Sequence, residues 1–285
     1  MNATTRALLI VAGLVATINV TVNAGNRNII VKGSDALVTL SQKWAQAYMV
    51  SNSVTKIRVS GGGSDDGFAA LQTGSADLCE SSRKIKTTEI ADCRVAFGQR
   101  PDEYKVAIEA VSVYVNEQNP IKEMSMEQLA DIFSGKAKSW KEFGGSDTPI
   151  TIYSRENGSS SFEFFQGRVL KGDQFAISAQ VMPGAAALMS AVAKDRSGIG
   201  FSDTADGRGV RALLVKPDSS TPGVAPTEEN IQAEKYPLWR YLYVYVNPVK
   251  DTGEVASYVT WMRGDEGQKS VQEAGFYPLP ENLRK

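Results

Sequence analysis

The sequence predicts an α/β fold, because three short apolar strands alternate with amphipathic helices in the first third of the chain. The strands are expected at 28–32, 56–60 and 76–80, with apolar residues at helical spacing between them. Such alternation is typical of a parallel sheet, in which the carboxyl ends of the strands meet at one edge. Each strand runs into a turn that contains serine, so we expect the three turns to lie together on that edge.

The first two of these turns each precede a predicted helix. Residues 33–37, Gly-Ser-Asp-Ala-Leu, open a helix whose apolar stripe includes Trp44, which we assign to the core. The glycine cluster at 61–67 lacks the Gly-Lys-Ser/Thr ending of a nucleotide P-loop and does not match G-x-G-x-x-G. It is better interpreted as a turn that exposes the backbone N–H groups of the next helix, since Phe68 begins another apolar stripe.

The later elements are assigned from the same patterns. The apolar segment at 106–116 predicts one long strand, and Asn119-Pro120 marks a boundary after it. The patterns also predict a helix between Ser125 and Gly135, a strand at 149–153, helices around Phe165 and after Gly184, a strand after Gly198, a strand at 239–247 and a last helix at 255–262.

The segment at 154–164 carries one arginine and three consecutive serines at the predicted start of a helix. Arg155 offers a planar, permanently charged fork that fits a tetrahedral anion with two prongs. Ser159, Ser160 and Ser161 add hydroxyl groups beside the N–H groups that a first helical turn leaves without partners. Together with the three serine-containing turns, this segment predicts one oxyanion held by several helix ends.

Residues 1–24 are interpreted as a cleavable secretory signal. One basic residue, Arg6, precedes an apolar run without acidic residues that ends at Ala24. A membrane anchor is the alternative, but it needs about 20 strongly apolar residues, and polar residues such as Thr17 and Asn19 interrupt this run. We therefore expect cleavage after Ala24 and export of the rest of the chain.

Composition excludes several classes of function. The chain has 31 basic and 32 acidic residues, so it lacks the electrostatic footprint of a protein that binds nucleic acid or an anionic membrane. It contains no histidine, which excludes Ser-His-Asp and Cys-His nucleophiles, H-E-x-x-H zinc sites and a histidine base. Catalysis by carboxylates or lysine stays open, although no motif for it is recognisable. We expect neither a metal site nor a cofactor.

The two cysteines, Cys79 and Cys93, lie in the part of the chain that is expected to be exported. An oxidising compartment permits a disulfide between them, and closing a loop of about 15 residues is worth roughly 3 kcal/mol in the chain-entropy model. Two free or buried thiols are the alternative, and the sequence leaves both open.

With these residues in place, the chain resembles the periplasmic phosphate-binding proteins that supply ATP-driven phosphate importers. The resemblance covers nearly all of the chain beyond the signal segment. Any one matching segment is weak evidence, but the ordered set is specific. The set comprises the turns at 33–34 and 63–64 and the segments 125–140, 154–161, 198–201 and 266–279.

This resemblance implies a two-domain periplasmic-binding-protein fold of type II, an α/β fold with mixed sheets flanked by helices. Two strand crossovers form the hinge in this family, and they fall around Val111 and Val244 here. One domain then comprises residues 25–110 and 246–285, and the other comprises residues 111–245. In the family, the two domains close over a dehydrated anion.

The resemblance also implies which residues bind phosphate. They are Ser34, Asp35, Ala36 and Leu37, largely through backbone N–H groups, with Ser64 and Ser82 from the same domain and Arg155, Ser159, Ser160 and Ser161 from the other. Asn157 stands where relatives often have an aspartate that braces the arginine.

At Ser82 the chain departs from relatives that carry an aspartate. In those relatives the carboxylate accepts a proton from hydrogen phosphate and repels sulfate, which is fully ionised. Selectivity here therefore depends on another carboxylate, for which Asp35, Asp65 and Asp66 are the candidates. Asp35 is favoured because it lies within the first-turn contact segment, while the alternative for all three is that acidic residues favour helix N-termini.

The expected function is non-enzymatic, high-affinity capture of inorganic phosphate in the periplasm by a monomer. The partners implied by the resemblance are the membrane permease subunits of an ABC importer. Three alternatives stay open: a binder of another tetrahedral oxyanion such as sulfate, arsenate or tungstate, a phosphatase on the same fold, and a surface-interaction role.

Overall fold

A computed structural model describes residues 27–203 and 207–284, so the predicted signal segment lies outside the described residues. The strands in chain order are β1 (Arg27–Gly33), β2 (Thr55–Ser60), β3 (Leu78–Ser81), β4 (Asp102–Ala110), β5 (Ser112–Asn116), β6 (Glu123–Ser125), β7 (Thr151–Arg155), β8 (Gln180–Met182), β9 (Gly198–Ser202), β10 (Val210–Ala212), β11 (Leu214–Lys216) and β12 (Trp239–Val246). The α-helices are α1 (Val38–Ser51), α2 (Ser64–Gln72), α3 (Thr87–Phe97), α4 (Met126–Phe133), α5 (Ser160–Arg168), α6 (Ala185–Lys194), α7 (Glu228–Gln232), α8 (Gly253–Arg263) and α9 (Asp265–Glu273).

The first sheet has the strand order β2-β1-β3-β12-β4. Strands β1, β2 and β3 are parallel, and β12 runs antiparallel to both β3 and β4. The parallel strands end at Gly33, Ser60 and Ser81, so the turns that follow them lie at one edge of the sheet. The α/β fold class and the common edge of the three turns are therefore confirmed.

The second sheet has the order β10-β5-β9-β7-β8, and β11 pairs with β6 in a separate two-stranded ribbon. Strand β7 is parallel to β8 and β9, whereas β5 is antiparallel to β9 and β10. Both sheets are thus mixed. Strand β7 ends at Arg155, and α5 begins five residues later at Ser160.

The apolar segment at 106–116, predicted to be one strand, is divided at Val111. Its first half belongs to β4 in the first sheet and its second half to β5 in the second sheet. Periodicity does not reveal this division because both halves are buried and apolar. The single long strand is therefore corrected to two shorter strands.

Three helices, α3, α7 and α9, were not predicted, and the helix at 255–262 is not the last one. Helix α9 buries mainly small or polar residues, among them Gly267, Gln268 and Ser270. A Cβ at Gly267 would lie 2.3 Å from the Met262 carbonyl oxygen, so the helix approaches its neighbour through glycine. The buried face of α9 carries only one large apolar residue, Val271, which is a weaker sequence signal than a continuous apolar stripe.

The chain passes between the sheets at Val111 and again shortly before β12. The Val111 N–H group donates to the Leu238 carbonyl (3.0 Å), and Tyr236 Oη donates to the Val111 carbonyl (3.1 Å). The two connections are therefore buried side by side. Strand β12, which contains Val244, pairs only with strands of the first sheet, so the second crossing precedes Trp239 instead of lying around Val244.

We keep the division into two domains as a proposal, with its second boundary moved to about residue 238. One large cluster of buried apolar residues nevertheless continues through the crossing, from Ile108 in β4 past Val111 to Ile199 in β9. Across residues 27–203 and 207–284, no helix combines the length and apolarity needed to cross a bilayer.

Cys79 and Cys93 are both free and buried. Of the two alternatives that the sequence left open, the structure thus has the free thiols. Burial raises the pKa of both thiols, which keeps them in the unreactive protonated form.

Titration of thiols with Ellman's reagent should find slow reaction in the native protein and both thiols of the chain after unfolding in guanidinium without reductant. The Cys93→Ser variant should lose one of them. A count near zero in unfolded, unreduced protein, restored by dithiothreitol, would instead show that the two cysteines are bridged.

Candidate functional site

The first turn, residues 33–37, begins where β1 packs tightly against β3. Ser34 is buried and donates its N–H to the Glu80 carbonyl (2.9 Å), while Leu37 donates its N–H to the Ser34 carbonyl (3.0 Å). The Leu37 side chain is fully buried in the core. The N–H groups of Asp35 and Ala36 are therefore the donors that this turn can offer to a ligand.

The second and third turns are joined to the first by hydrogen bonds. Gly63 donates its N–H to the Gly33 carbonyl (3.1 Å), and Ser82 donates its N–H to Ser64 Oγ (3.2 Å). Ser64 and Ser82 line a cavity of about 670 Å³, whose other wall includes residues of α5 and Arg240. The predicted ligands of the first domain thus form one connected rim.

The three candidate carboxylates on this rim are exposed and already engaged. Asp35 Oδ1 accepts the Gly62 N–H (2.9 Å) and braces the second turn. Asp65 accepts from Lys86 Nζ (2.9 Å), which lowers the pKa of Asp65. Asp66 lies 3.8 Å from a lysine ammonium. None of the three is buried where it would meet a dehydrated anion.

The start of α5 provides a second set of donors. Ser159 caps the helix, because its Oγ accepts the Phe162 N–H (3.2 Å) and its own N–H donates to the Glu156 carbonyl (3.1 Å). The first helical turn leaves the N–H groups of Ser160 and Ser161 without intrahelical acceptors. Ser161 Oγ is buried and has no hydrogen-bond partner among the described residues.

Arg155 lies at the carboxyl end of β7 and is only 9% exposed. Its Nε and Nη2 donate to the two carboxylate oxygens of Glu156 (3.1 and 3.2 Å), which lowers the pKa of Glu156 to about 2. Nη1 is buried without a hydrogen-bond partner in the described part of the chain, and Asp203 Oδ1 is 3.6 Å away. Among the described residues, Arg155 thus keeps one buried donor that is not used in a hydrogen bond.

Glu156 is a site residue that the sequence analysis missed. The resemblance directed attention to Asn157, which is exposed, whereas the adjacent Glu156 holds the arginine. The sequence feature that could have identified Glu156 is its position as an acidic residue directly after Arg155.

Glu109 and Arg240 were also missed. They are cross-strand partners on β4 and β12, and Arg240 Nε donates to Glu109 Oε2 (2.6 Å). Ser160 Oγ donates to Glu109 Oε1 and accepts from Arg240 Nη2 (2.7 Å). The sequence feature that could have identified Glu109 is its place as the single acidic residue in an otherwise apolar segment, Val-Ala-Ile-Glu-Ala-Val at 106–111.

The predicted ligands do not all line one cavity. Arg155 and Ser161 are not among the described residues that line the cavity of Ser64 and Ser82. A second cavity, of about 520 Å³, is lined by Glu109 and by Asp203, the neighbour of Arg155. Glu109, Arg240 and Ser160, which we call the Glu109 cluster, therefore lie between the two cavities and link the two sheets.

Glu80, directly beneath the first turn, is a buried carboxyl group at 1% exposure. Burial raises the pKa of Glu80 to about 8, although the hydrogen bond from Ser41 Oγ (2.6 Å) favours its ionised form. An unfolded glutamate releases this proton near pH 4.5, so the folded protein holds one more proton between those two values. Stability must then fall as the pH rises from 4.5 to 8.

Glu80→Gln removes this titration, so the stability of the variant relative to wild type should rise with pH, by roughly 3 to 5 kcal/mol between pH 4.5 and pH 8. Urea unfolding at several pH values measures the difference, and Glu117→Gln, at an exposed glutamate, is the control. A difference between Glu80→Gln and wild type that does not change with pH would contradict the assignment.

Comparison with known proteins identifies the family of this chain. A family model described as a PBP superfamily domain matches residues 19–266. The phosphate-binding protein PstS of Pseudomonas aeruginosa is 29% identical over 267 residues, covering 88% of this chain and 83% of that protein. PstS of Staphylococcus aureus is 30% identical over 258 residues, covering 86% and 75%.

Among solved structures, an ABC-type phosphate transport receptor from Vibrio cholerae superimposes with a TM-score of 0.74 at 23% identity, covering 89% of this chain and 100% of that one. This likeness supports the two-sheet α/β architecture. The family model and the sequence relatives span the turns at 33–37 and 61–67, the Arg155 segment and both crossings. The chain belongs to the PBP superfamily and, within it, to the family of PstS phosphate-binding proteins.

Proposed function

We propose that this protein binds inorganic phosphate between its two domains and delivers it to an ABC importer. The observation that carries the proposal is a pair of buried donors that have no hydrogen-bond partner among the described residues, Arg155 Nη1 at the end of β7 and Ser161 Oγ in the first turn of α5. Each such group costs about 1 to 3 kcal/mol unless an acceptor is bound. The named PstS relatives are phosphate-binding proteins, which fits an oxyanion as that acceptor.

The donors on both sides of the cleft suit a small, dehydrated tetrahedral anion. Ser34, Ser64 and Ser82 belong to the rim of the first sheet, and the N–H groups of Ser160 and Ser161 open a helix on the second. N–H and O–H groups at helix starts bind anions through short, directional contacts. A tetrahedral anion has acceptor oxygens in four directions and can take donors from both sides at once.

The partners and the location follow from delivery to an importer. We propose that the protein works as a monomer in the periplasm, directed there by the signal at 1–24, and presents phosphate to membrane permease subunits. The relative from Vibrio cholerae, an ABC-type phosphate transport receptor, supports this role.

A phosphatase is the second candidate, because Ser160 Oγ donates to Glu109, as a serine nucleophile donates to its base. Arg240, however, donates to both partners, which stabilises the carboxylate as an anion and withdraws electron density from the hydroxyl. Binding without catalysis is therefore the function we propose.

Arg155→Ala should lower the affinity for phosphate by roughly 2 to 5 kcal/mol, because it removes a charged donor and leaves the bound anion underpaired. Arg155→Lys should restore little, since a point charge does not reproduce the two-pronged fork. Isothermal titration calorimetry measures both.

Arg94→Ala is the matched control, since Arg94 is an exposed arginine in the last turn of α3 and its loss changes the net charge equally. Thermal unfolding verifies that each variant is folded. Wild-type affinity in a folded Arg155→Ala protein would refute this site.

Phosphate should also draw the two domains together about the connections at Val111 and 236–238, because each side supplies only part of the anion's contacts. Small-angle scattering should record a smaller radius of gyration with saturating phosphate in wild type and no change in Arg155→Ala. An equal radius with and without phosphate in wild type would count against closure.

A further inference from the structure

The Ser160 hydroxyl is fully used in the Glu109 cluster. A hydroxyl has one proton to donate, and Ser160 gives it to Glu109 Oε1 while Arg240 Nη2 donates to the Ser160 oxygen at 2.7 Å. Ser160 cannot donate to an anion while this arrangement lasts. Its neighbour Ser161, in contrast, has a buried hydroxyl without a partner among the described residues.

We propose that Glu109 is the carboxylate that makes this site prefer hydrogen phosphate to sulfate, through an exchange of hydrogen bonds at Ser160. The inference rests on the proposed function and names the residue that sets its selectivity. When hydrogen phosphate binds, its P–OH group donates to Glu109 Oε1 in place of Ser160. The Ser160 hydroxyl then turns and donates to another phosphate oxygen. No proton is transferred, and every acceptor keeps a donor.

Sulfate lacks the proton that this exchange requires. If Ser160 turns towards sulfate, Glu109 Oε1 loses its donor. If Ser160 stays on Glu109, the sulfate loses a donor and faces a buried carboxylate. Either arrangement leaves one buried acceptor without a hydrogen-bond donor. The free-energy cost of an unpaired buried acceptor is larger when that acceptor is charged. Sulfate therefore binds more weakly because it brings no O–H donor of its own. The selectivity comes from an energetic penalty on the wrong ligand.

Burial distinguishes Glu109 from the aspartates that the sequence favoured. Glu109 is 1% exposed, whereas Asp35, Asp65 and Asp66 are exposed on the rim. Glu109 also touches a residue of the first turn of α5, where the predicted donors gather.

The cross-strand position of Arg240 explains how a carboxylate is tolerated beside an anion. An isolated buried charge is strongly unfavourable, but Arg240 Nε compensates Glu109 at 2.6 Å and the two strands fix the pair. Of the other carboxylates near the site, Glu156 is occupied by Arg155, and Glu80 accepts from Ser41 in the core behind the first turn. Asp203, 3.6 Å from Arg155 Nη1, is 41% exposed and therefore stays solvated where Glu109 is buried.

The test is the ratio of phosphate to sulfate affinity, measured by calorimetry at constant ionic strength and neutral pH. Wild type should prefer phosphate by at least 100-fold. Glu109→Gln should reduce that ratio at least tenfold and strengthen sulfate binding, because a glutamine amide can donate to a sulfate oxygen. Monofluorophosphate, a tetrahedral dianion without a hydroxyl group, should bind wild type as weakly as sulfate does.

Asp66→Asn is the matched control, because it makes the same acid-to-amide change at an exposed position and should leave the ratio unchanged. Glu109→Asp covers the case in which Glu109→Gln does not fold, since it keeps the charge but withdraws the carboxylate by one methylene, and it should also lower the ratio.

A folded Glu109 variant with the wild-type ratio would overturn the assignment, as would wild type binding monofluorophosphate as tightly as phosphate. Those results would leave the proposed function standing. If wild type bound neither phosphate nor sulfate, the proposed function itself would fail, and the role of Glu109 with it.

Discussion

The site depends on a close approach of backbones that only glycine permits. A Cβ at Gly33 would lie 1.9 Å from the Glu80 carbonyl oxygen, and one at Gly67 would lie 2.8 Å from the Gly33 Cα atom. Without side chains at these two positions, β1, β3 and α2 pack close enough for their turns to hydrogen-bond to one another. Ser34, Ser64 and Ser82 share one rim because of this packing, so a core constraint determines the position of surface donors.

The two connections between the sheets impose the second constraint. Val111 and the segment 236–238 are hydrogen-bonded side by side, which makes this line the axis of the domain closure that we propose. Glu109 and Arg240 lie immediately next to the connections, on the strands that enter and leave them. Their contact with Ser160 at the start of α5 therefore joins the hinge to the site. The proposed closure of the cleft and the proposed exchange of the Ser160 hydrogen bonds thus involve the same few side chains.

Sequence reasoning succeeded where the information is local. The alternation of strands and helices, the glycine turns and the Arg155 segment are readable within short windows, and the parallel sheet follows from them. It failed where partners are far apart in the chain: Arg240 is 131 residues from Glu109, and Ser160 is 51 residues from it. The carboxylate partner of Arg155 was missed for a different reason. The resemblance implied that this partner stands at Asn157, whereas it is the neighbouring Glu156. Helix α9 was missed because its buried face is small and polar except for Val271, so few apolar residues mark it in the sequence.

Charge balance at the site explains how it can discriminate between anions. Each arginine already has a carboxylate partner, Arg155 with Glu156 and Arg240 with Glu109. In the function that we propose, the anion is therefore attracted by donors that lack acceptors among the described residues more than by excess positive charge, in keeping with the net charge of −1 for the whole chain. Excess charge would favour the more highly ionised anion, whatever its protons. A site whose hydrogen-bond donors and acceptors must all be paired discriminates instead by whether the ligand carries a proton. That proton is the chemical difference between hydrogen phosphate and sulfate at neutral pH.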